Sequence, residues 1–337
     1  MEKRVVFEGR NLTTGYKHDK QRVEVHQGLN FTLYAGEMTC LLGCNGAGKS
    51  TLLRTLATAQ PALSGNLNLF GKDIADYSNR ELSKSIGIVL TERTQIGGLT
   101  VYELVALGRQ PHTGYFGRLR TTDKELVHRA IELVGLREKS DSYMAQLSDG
   151  ERQKTMIAKA LVQECPIIIL DEPTAFLDVV SRIEMMELLH QIAVNENKAV
   201  LLSTHDVEQA LSLSDKLWVM TNEKKMRCGT VEDVVLSGCM DHLFEHQTIR
   251  FDLNKGGYLS HHKKGKDVVL MATDSILYYW AQNALQRNGF RCCSNDGGYS
   301  LPCLEVQSSH VLIWKEENKT VTYHSFEELL SNIGSCV

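Results

Sequence analysis

The sequence predicts an α/β fold on a parallel sheet, followed by a small α+β domain. The first observation is a set of short, continuous apolar runs separated by helix-like stretches: Met38–Leu42, Ile86–Leu90, Ile167–Leu170, Ala199–Ser203 and Leu217–Met220. Runs of that kind are strands covered on both faces. The second is a change of character after about Asp241, where turn-rich stretches give way to a compact strand and helix pattern. The third is size: 337 residues, 42% hydrophobic, suffice for about two domains with a sizeable core.

Composition removes several classes. With 37 Lys+Arg against 41 Asp+Glu the net charge is −4, so the chain lacks a general basic footprint and nucleic acid is not an expected partner. Disordered, collagenous and low-complexity chains are excluded. The nine cysteines are scattered, with no C-x-x-C pair to suggest a zinc ribbon or redox motif. Residues 1–8 carry no apolar core of a signal peptide, and no apolar run approaches the ~20 residues that span a bilayer. A reducing cytosol is the simplest setting, and a membrane role would come through partners.

Each later element has a local reason. Asn254–Gly257 and His261–Lys266 read as turns or a hinge. Asp267–Thr273 reads as a strand. Asp274 is placed to cap a helix whose apolar positions, Leu277, Trp280, Ala281, Ala284 and Leu285, follow the helical spacing until Gly289 ends it. Val311–Trp314 and Thr320–Tyr323 flank a turn as a hairpin. Ser325 and Glu328 form a capping-box pattern before a helix expected to bury Phe326, Leu329, Leu330 and Ile333. Residues 250–337 therefore make a small α+β accessory domain, and the sequence gives it no chemistry.

The chemistry lies in the larger part. Gly43, Cys44, Asn45, Gly46, Ala47, Gly48, Lys49, Ser50 and Thr51 match G-x-x-x-x-G-K-[ST] between a strand and a helix. Glycines let backbone N–H groups close around phosphate oxygens, and the helix N-terminus adds partial positive charge. Lys49 would reach the β- and γ-phosphates, and Ser50 would supply a Mg²⁺ ligand. Asp171 and Glu172 end an apolar strand. Asp171 would hold Mg²⁺ through water. Glu172, pointing the other way along the strand, could polarise a water for attack on the γ-phosphate.

Leu147-Ser148-Asp149-Gly150-Glu151-Arg152-Gln153, upstream of Asp171, resembles the signature motif of ATP-binding-cassette ATPases. The family's other motifs surround it in order. The resemblance makes Tyr16 the ring stacked on adenine, Leu177-Asp178 the D-loop and His205 the switch histidine. It covers about residues 5 to 236 and implies a P-loop nucleotide-binding domain over 1–245 with a helical subdomain at about 92–165. It also implies that ATP lies between the loop of one chain and Ser148, Gly150 and Glu151 of the other, so the chain would act as a homodimer. Leu99 to His112, with Gly117-Arg118, is similar to importer ATPases for ferric siderophores, haem and cobalamin. That likeness implies two transmembrane permease subunits, a substrate-binding protein and a peripheral place on the cytoplasmic face of the inner membrane. The alternatives are an ABC ATPase for another cargo and a soluble one outside transport.

Some positions depart from the family. The Q-loop glutamine is replaced by Thr91, with Glu92 next, unless a shifted loop brings in Gln95; Thr91 or Glu92 is the remaining metal candidate. Asp149 and Glu151 replace the commoner glycine and glutamine of the signature and are expected to repel a partner's γ-phosphate. Cys44 replaces the usual proline; an inert thiol is expected there, with an oxidisable one as the alternative because a helix N-terminus favours the thiolate. His242 with His246, and Cys292 with Cys293, are weaker metal candidates.

Overall fold

The computed structural model describes residues 3–18, 21–90, 98–114, 117–221, 225–244, 248–260, 265–293, 301–316 and 319–333. The chain divides into a larger unit, Met1–Glu245 with Phe251–Gly257, and a smaller one, His246–Arg250 with Tyr258–Val337.

The larger unit opens with a long antiparallel pair, β1 (Val5–His18) and β2 (Gln21–Tyr34). Next come β3 (Met38–Leu42), α1 (Lys49–Leu56), β4 (Ser64–Leu69), β5 (Lys72–Asp73), α2 (Asn79–Ser85) and β6 (Ile86–Val89). Three helices follow, α3 (Val101–Ala106), α4 (Thr121–Leu133) and α5 (Asp149–Val162), packed on one another. The chain returns through β7 (Ile167–Asp171), α6 (Val179–Asn195), β8 (Ala199–Ser203), α7 (Val207–Leu213), β9 (Lys216–Met220), β10 (Met226–Thr230) and α8 (Val231–Leu236).

Among the described residues the main sheet runs β10-β9-β3-β8-β7-β6, parallel except for the antiparallel edge strand β10. All five residues of β3 and of β8 are buried, as continuous apolar runs require. A second, antiparallel sheet, β2-β1-β4-β5, stands beside it. Its pattern was not among the apolar runs because bulges break it: the β1 register shifts between Gly9 and Leu12 and again before Thr14, which resets the period-2 phase. The shared core joins Leu12, Phe31 and Leu33 of this sheet to Leu52 and Leu56 of α1 and to Ile169 and Trp218 of the parallel one. Phe31 and Trp218 meet with ring centroids 4.7 Å apart.

Arg109, just past α3, ties the helical layer together. Its Nε donates to Asp123 Oδ1 at 2.9 Å, and its Nη1 donates to Val162 O at 2.8 Å and Glu164 Oε2 at 2.7 Å. Arg109 and Asp123 are both buried. The Arg120 backbone N–H and the Arg109 guanidinium hold the Asp123 carboxyl below its ordinary range. Arg109→Met should leave Asp123 as an unpaired buried charge and cost about 3–5 kcal/mol. Urea unfolding of the full chain checks this; a loss under about 1 kcal/mol would reduce the cluster to a surface pair.

The smaller unit contains a mixed sheet, and a two-stranded ribbon, β11 (Ile249–Asp252) with β12 (Gly257–Ser260), precedes it in sequence. Then come β13 (Lys266–Ala272), α9 (Ser275–Arg287), β14 (Phe290–Cys293), β15 (Cys303–Ser308), β16 (Val311–Glu316), β17 (Lys319–Tyr323) and α10 (Phe326–Asn332). The sheet order is β14-β13-β15-β16-β17, with β13 parallel to both neighbours and the rest antiparallel. Asp274 caps α9 by accepting from the N–H groups of Ile276 and Leu277. Ala281, Ala284 and Leu285 are buried, but Trp280 is 57% exposed, so the buried stripe is narrower than its spacing suggested. The capping box of α10 is also shifted. Ser325 Oγ accepts from Glu328 N–H, while the Glu328 carboxylate accepts from His324 N–H. Among the described residues no helix is long and apolar enough to cross a membrane.

Candidate nucleotide site

Parallel strands deliver their C-terminal ends to one sheet edge, and here three adjacent strands do so. Leu41 of β3 pairs with Ser203 of β8, which pairs with Asp171 of β7. The Gly43 loop, Thr204-His205 and Asp171-Glu172 thereby emerge side by side.

The loop is shaped for backbone approach. Gly46 and Gly48 have φ of 81° and 91°, and a Cβ at Gly48 would lie 2.4 Å from both Val25 Cγ1 and His26 Cε1. No side chain caps α1 at Gly48, so its first N–H groups are left for a ligand. Lys49 is buried, and its ammonium donates to Gly43 O at 2.7 Å and Cys44 O at 3.3 Å, which lays it across the loop. Ser50 is exposed; Thr51 Oγ1 lies 2.6 Å from the hydroxyl of Tyr16. Tyr16 itself is 46% exposed at the end of β1. Gly15 precedes it because a Cβ there would come within 2.0 Å of Val23 O. These features fit a polyphosphate: a cradle that a Cβ would fill, a buried ammonium and an exposed hydroxyl.

The carboxylate pair is held by a residue that the sequence reading missed. Ser203 Oγ donates to Asp171 Oδ1 at 2.6 Å and accepts from Glu172 N–H at 2.9 Å. The two carboxylates were expected to alternate along a strand. Instead β7 stops at Asp171, and Glu172 adopts φ of 47°, a left-handed conformation that is uncommon outside glycine. Glu172 Oε2 then lies 3.8 Å from His205 Nδ1. His26 was missed as well. It is buried on β2, with Nδ1 2.9 Å from Thr14 Oγ1 and Nε2 2.7 Å from Ala47 O. A polar residue in a strand gives little sequence signal; only the β1–β2 register brings it under the loop.

The signature residues form the start of α5. Ser148 Oγ accepts from Glu151 N–H and the Glu151 carboxylate accepts from Ser148 N–H, a complete capping box. Gly150 faces Leu177, whose Cδ2 would lie 3.6 Å from an added Cβ. Of the two signature carboxylates expected to repel a partner's γ-phosphate, Asp149 is paired with Arg152 at 3.0 Å and Glu151 with Lys139. The Lys139 ammonium and the Ser148 N–H hold the Glu151 carboxyl below its ordinary range. Asp178 caps α6 by accepting from Ser181 N–H at 2.9 Å. Arg182 donates to Leu177 O at 3.1 Å and to Asp206 Oδ2 at 2.9 Å, which links the Leu177-Asp178 segment to the residue after His205. Among the described residues no hydrogen bond joins Ser148 or Gly150 to the Gly43–Thr51 loop of the same chain.

Thr91, Glu92 and Gln95 lie outside the described residues, as does His246. The Cys44 thiol donates to Leu243 O at 2.5 Å. Burial pushes the Cys292 thiol up to about 11, and among the described residues no cluster of three or more His, Cys, Asp or Glu could hold a metal.

A cleft of about 410 Å³ opens between α2, β6 and the helical layer. It is lined in part by Leu82, Ile86, Ile88, Leu107, Pro111 and Gln163, of which Ile88 and Leu107 are exposed apolar residues.

Residues 26–175 match the family described as ABC transporter, and residues 264–334 match the iron ABC transporter C-terminal domain. An uncharacterized ABC transporter ATP-binding protein of Methanocaldococcus jannaschii is 40% identical over 235 residues, covering 70% of this chain and 80% of its own. The ferric enterobactin transport ATP-binding protein FepC of Escherichia coli is 34% identical over 236 residues, covering 70% of this chain and 86% of its own. Among solved structures, an inward-facing putative metal-chelate type ABC transporter aligns with a TM-score of 0.62 at 26% identity, over 76% of this chain and 96% of that one.

Proposed function

The chain belongs to the family of ABC transporter ATPases, and from that premise we propose that it powers a membrane importer for a ferric siderophore. Haem and cobalamin are the other cargoes of the same class. The single observation that carries the cargo is the match of residues 264–334 to an iron transporter C-terminal domain, on a chain that is also 34% identical to a ferric enterobactin transport protein.

In this reading ATP lies between Gly43–Thr51 of one copy and Ser148, Gly150 and Glu151 of a second. Tyr16 stacks on adenine, and Asn45, Gly46, Ala47 and Gly48 present their backbone to phosphate oxygens. Lys49 meets the β- and γ-phosphates. Ser50 and Asp171, both hard oxygen donors, would hold Mg²⁺, which when bound adds positive charge beside the phosphates. Glu172 takes the proton of the attacking water as its oxygen bonds to the γ-phosphorus and the bond to the leaving ADP oxygen breaks. His205, 3.8 Å from Glu172, steadies that carboxylate and the γ-phosphate. Asp178 holds the start of α6, which faces the second copy. Closure of the homodimer on ATP and its reopening after hydrolysis form a population shift that phosphate contacts drive.

Two permease subunits take up that movement at the cleft beside Ile88 and Leu107, and a substrate-binding protein brings the cargo. The ATPase then sits peripherally on the cytoplasmic face of the inner membrane. Uptake of radiolabelled ferric siderophore by iron-starved cells tests the proposal. Cells with Lys49→Ala in place of the native protein should lose uptake; unchanged uptake would exclude this cargo and direct the same assay to haem and cobalamin.

A further inference from the structure

We propose that His26 is a positioning residue of the nucleotide site, one that fixes the peptide between Ala47 and Gly48 so that Gly48 N–H faces bound phosphate. The inference rests on the reading that Gly43–Thr51 holds the nucleotide's phosphates. The ring lies under the crest of that loop, 99% buried, with Nε2 2.7 Å from Ala47 O. A carbonyl oxygen only accepts, so Nε2 carries a hydrogen. In the neutral ring Nδ1 is then the acceptor, and the hydroxyl of fully buried Thr14, 2.9 Å away, donates to it. Thr14 therefore selects the tautomer that can bond the loop.

The consequence follows from the peptide plane. The 47–48 peptide is trans, and in a trans peptide C=O and N–H point in opposite directions. Drawing Ala47 O down onto His26 turns Gly48 N–H up, away from β2 and into the concave side of the loop. The Leu52 N–H holds Gly48 O at 3.0 Å and so fixes the peptide after Gly48, while His26 holds the one before it, where glycine has no side chain to restrict rotation. The same ring forbids a side chain at 48, since a Cβ would meet His26 Cε1 at 2.4 Å. Thr14 stands two residues before Tyr16 on β1, so one buried bridge connects the strand that carries the adenine ring to the loop that carries the phosphates.

A hydrogen bond aimed at bound phosphate is made in the ground state and in the transition state alike. Losing its alignment therefore raises KM with little change in kcat. His26→Leu, which fills the space without a donor, should raise KM for ATP about tenfold with kcat within about twofold, the weight of one buried hydrogen bond. His26→Gln restores an N–H at the reach of Nε2 and should return KM to within about twofold of the native value. Thr14→Val keeps the volume and removes the hydroxyl that selects the tautomer; it should raise KM about threefold and serves as the probe if His26→Leu does not fold. An unchanged KM in folded His26→Leu or Thr14→Val overturns the proposal, and so does a His26→Gln protein that behaves like Leu, because packing alone would then explain the ring. A native chain that neither binds ADP nor hydrolyses ATP would instead sink the site reading itself.

Discussion

Glu172→Gln should slow ATP hydrolysis by ~10²–10⁴-fold, about 3–5 kcal/mol of barrier, while leaving ATP binding intact. The amide keeps the shape of the carboxylate and cannot accept the water's proton. The backbone around it should not move, because the N–H of residue 172 remains bonded to Ser203 Oγ, and that serine remains bonded to Asp171. The left-handed φ of 47° is what lifts this side chain off the line of β7 toward His205. Since ATP still binds and is not consumed, the variant should also accumulate as an ATP-dependent dimer. Steady-state phosphate release and size-exclusion chromatography with ATP read the two effects separately. A variant that turns over at the native rate would remove Glu172 as the base.

The parts of this site that were legible in the sequence are those in which chemistry constrains neighbouring residues. A loop that wraps phosphate needs glycine at Gly43 and Gly48 and a cation at Lys49, all within one turn, so spacing alone exposes it. The caps Asp274 and Ser325 were legible for the same reason, since a cap acts over three or four residues. What escaped depends on register between distant strands. Ser203 matters because β8 pairs with β7, and His26 because β2 turns back along β1 and passes beneath Ala47. Neither partner is near in sequence. The partners of the two signature carboxylates were hidden in the same way. Asp149 and Glu151 look like unmatched charges until Arg152 and Lys139 are placed beside them, and Lys139 reaches Glu151 only because the segment before α5 folds back over its first turn.

Lys49→Ala should abolish measurable turnover and weaken ATP binding by at least ~10²-fold, and ADP binding, which lacks the γ-phosphate, by at least ~10-fold. The ammonium supplies charge-assisted hydrogen bonds to two phosphate groups, each worth about 1.5–3 kcal/mol, and alanine supplies none. Its present bonds to Gly43 O and Cys44 O show that Nζ is already confined to the loop, so a ligand finds it in place and little side-chain entropy is lost on binding. Removing the side chain also leaves those two carbonyls without the ammonium from which they accept. Lys49→Arg separates charge from fit: it keeps the positive charge, but its planar fork cannot take the place of a compact ammonium inside a closed loop. Calorimetric titration with ADP should therefore find both variants defective, Lys49→Ala the more so, with thermal unfolding of the ligand-free chains close to native. Native affinity in Lys49→Ala would mean that the backbone amides and the α1 N-terminus hold the phosphates unaided, and that the lysine serves only the loop's own shape.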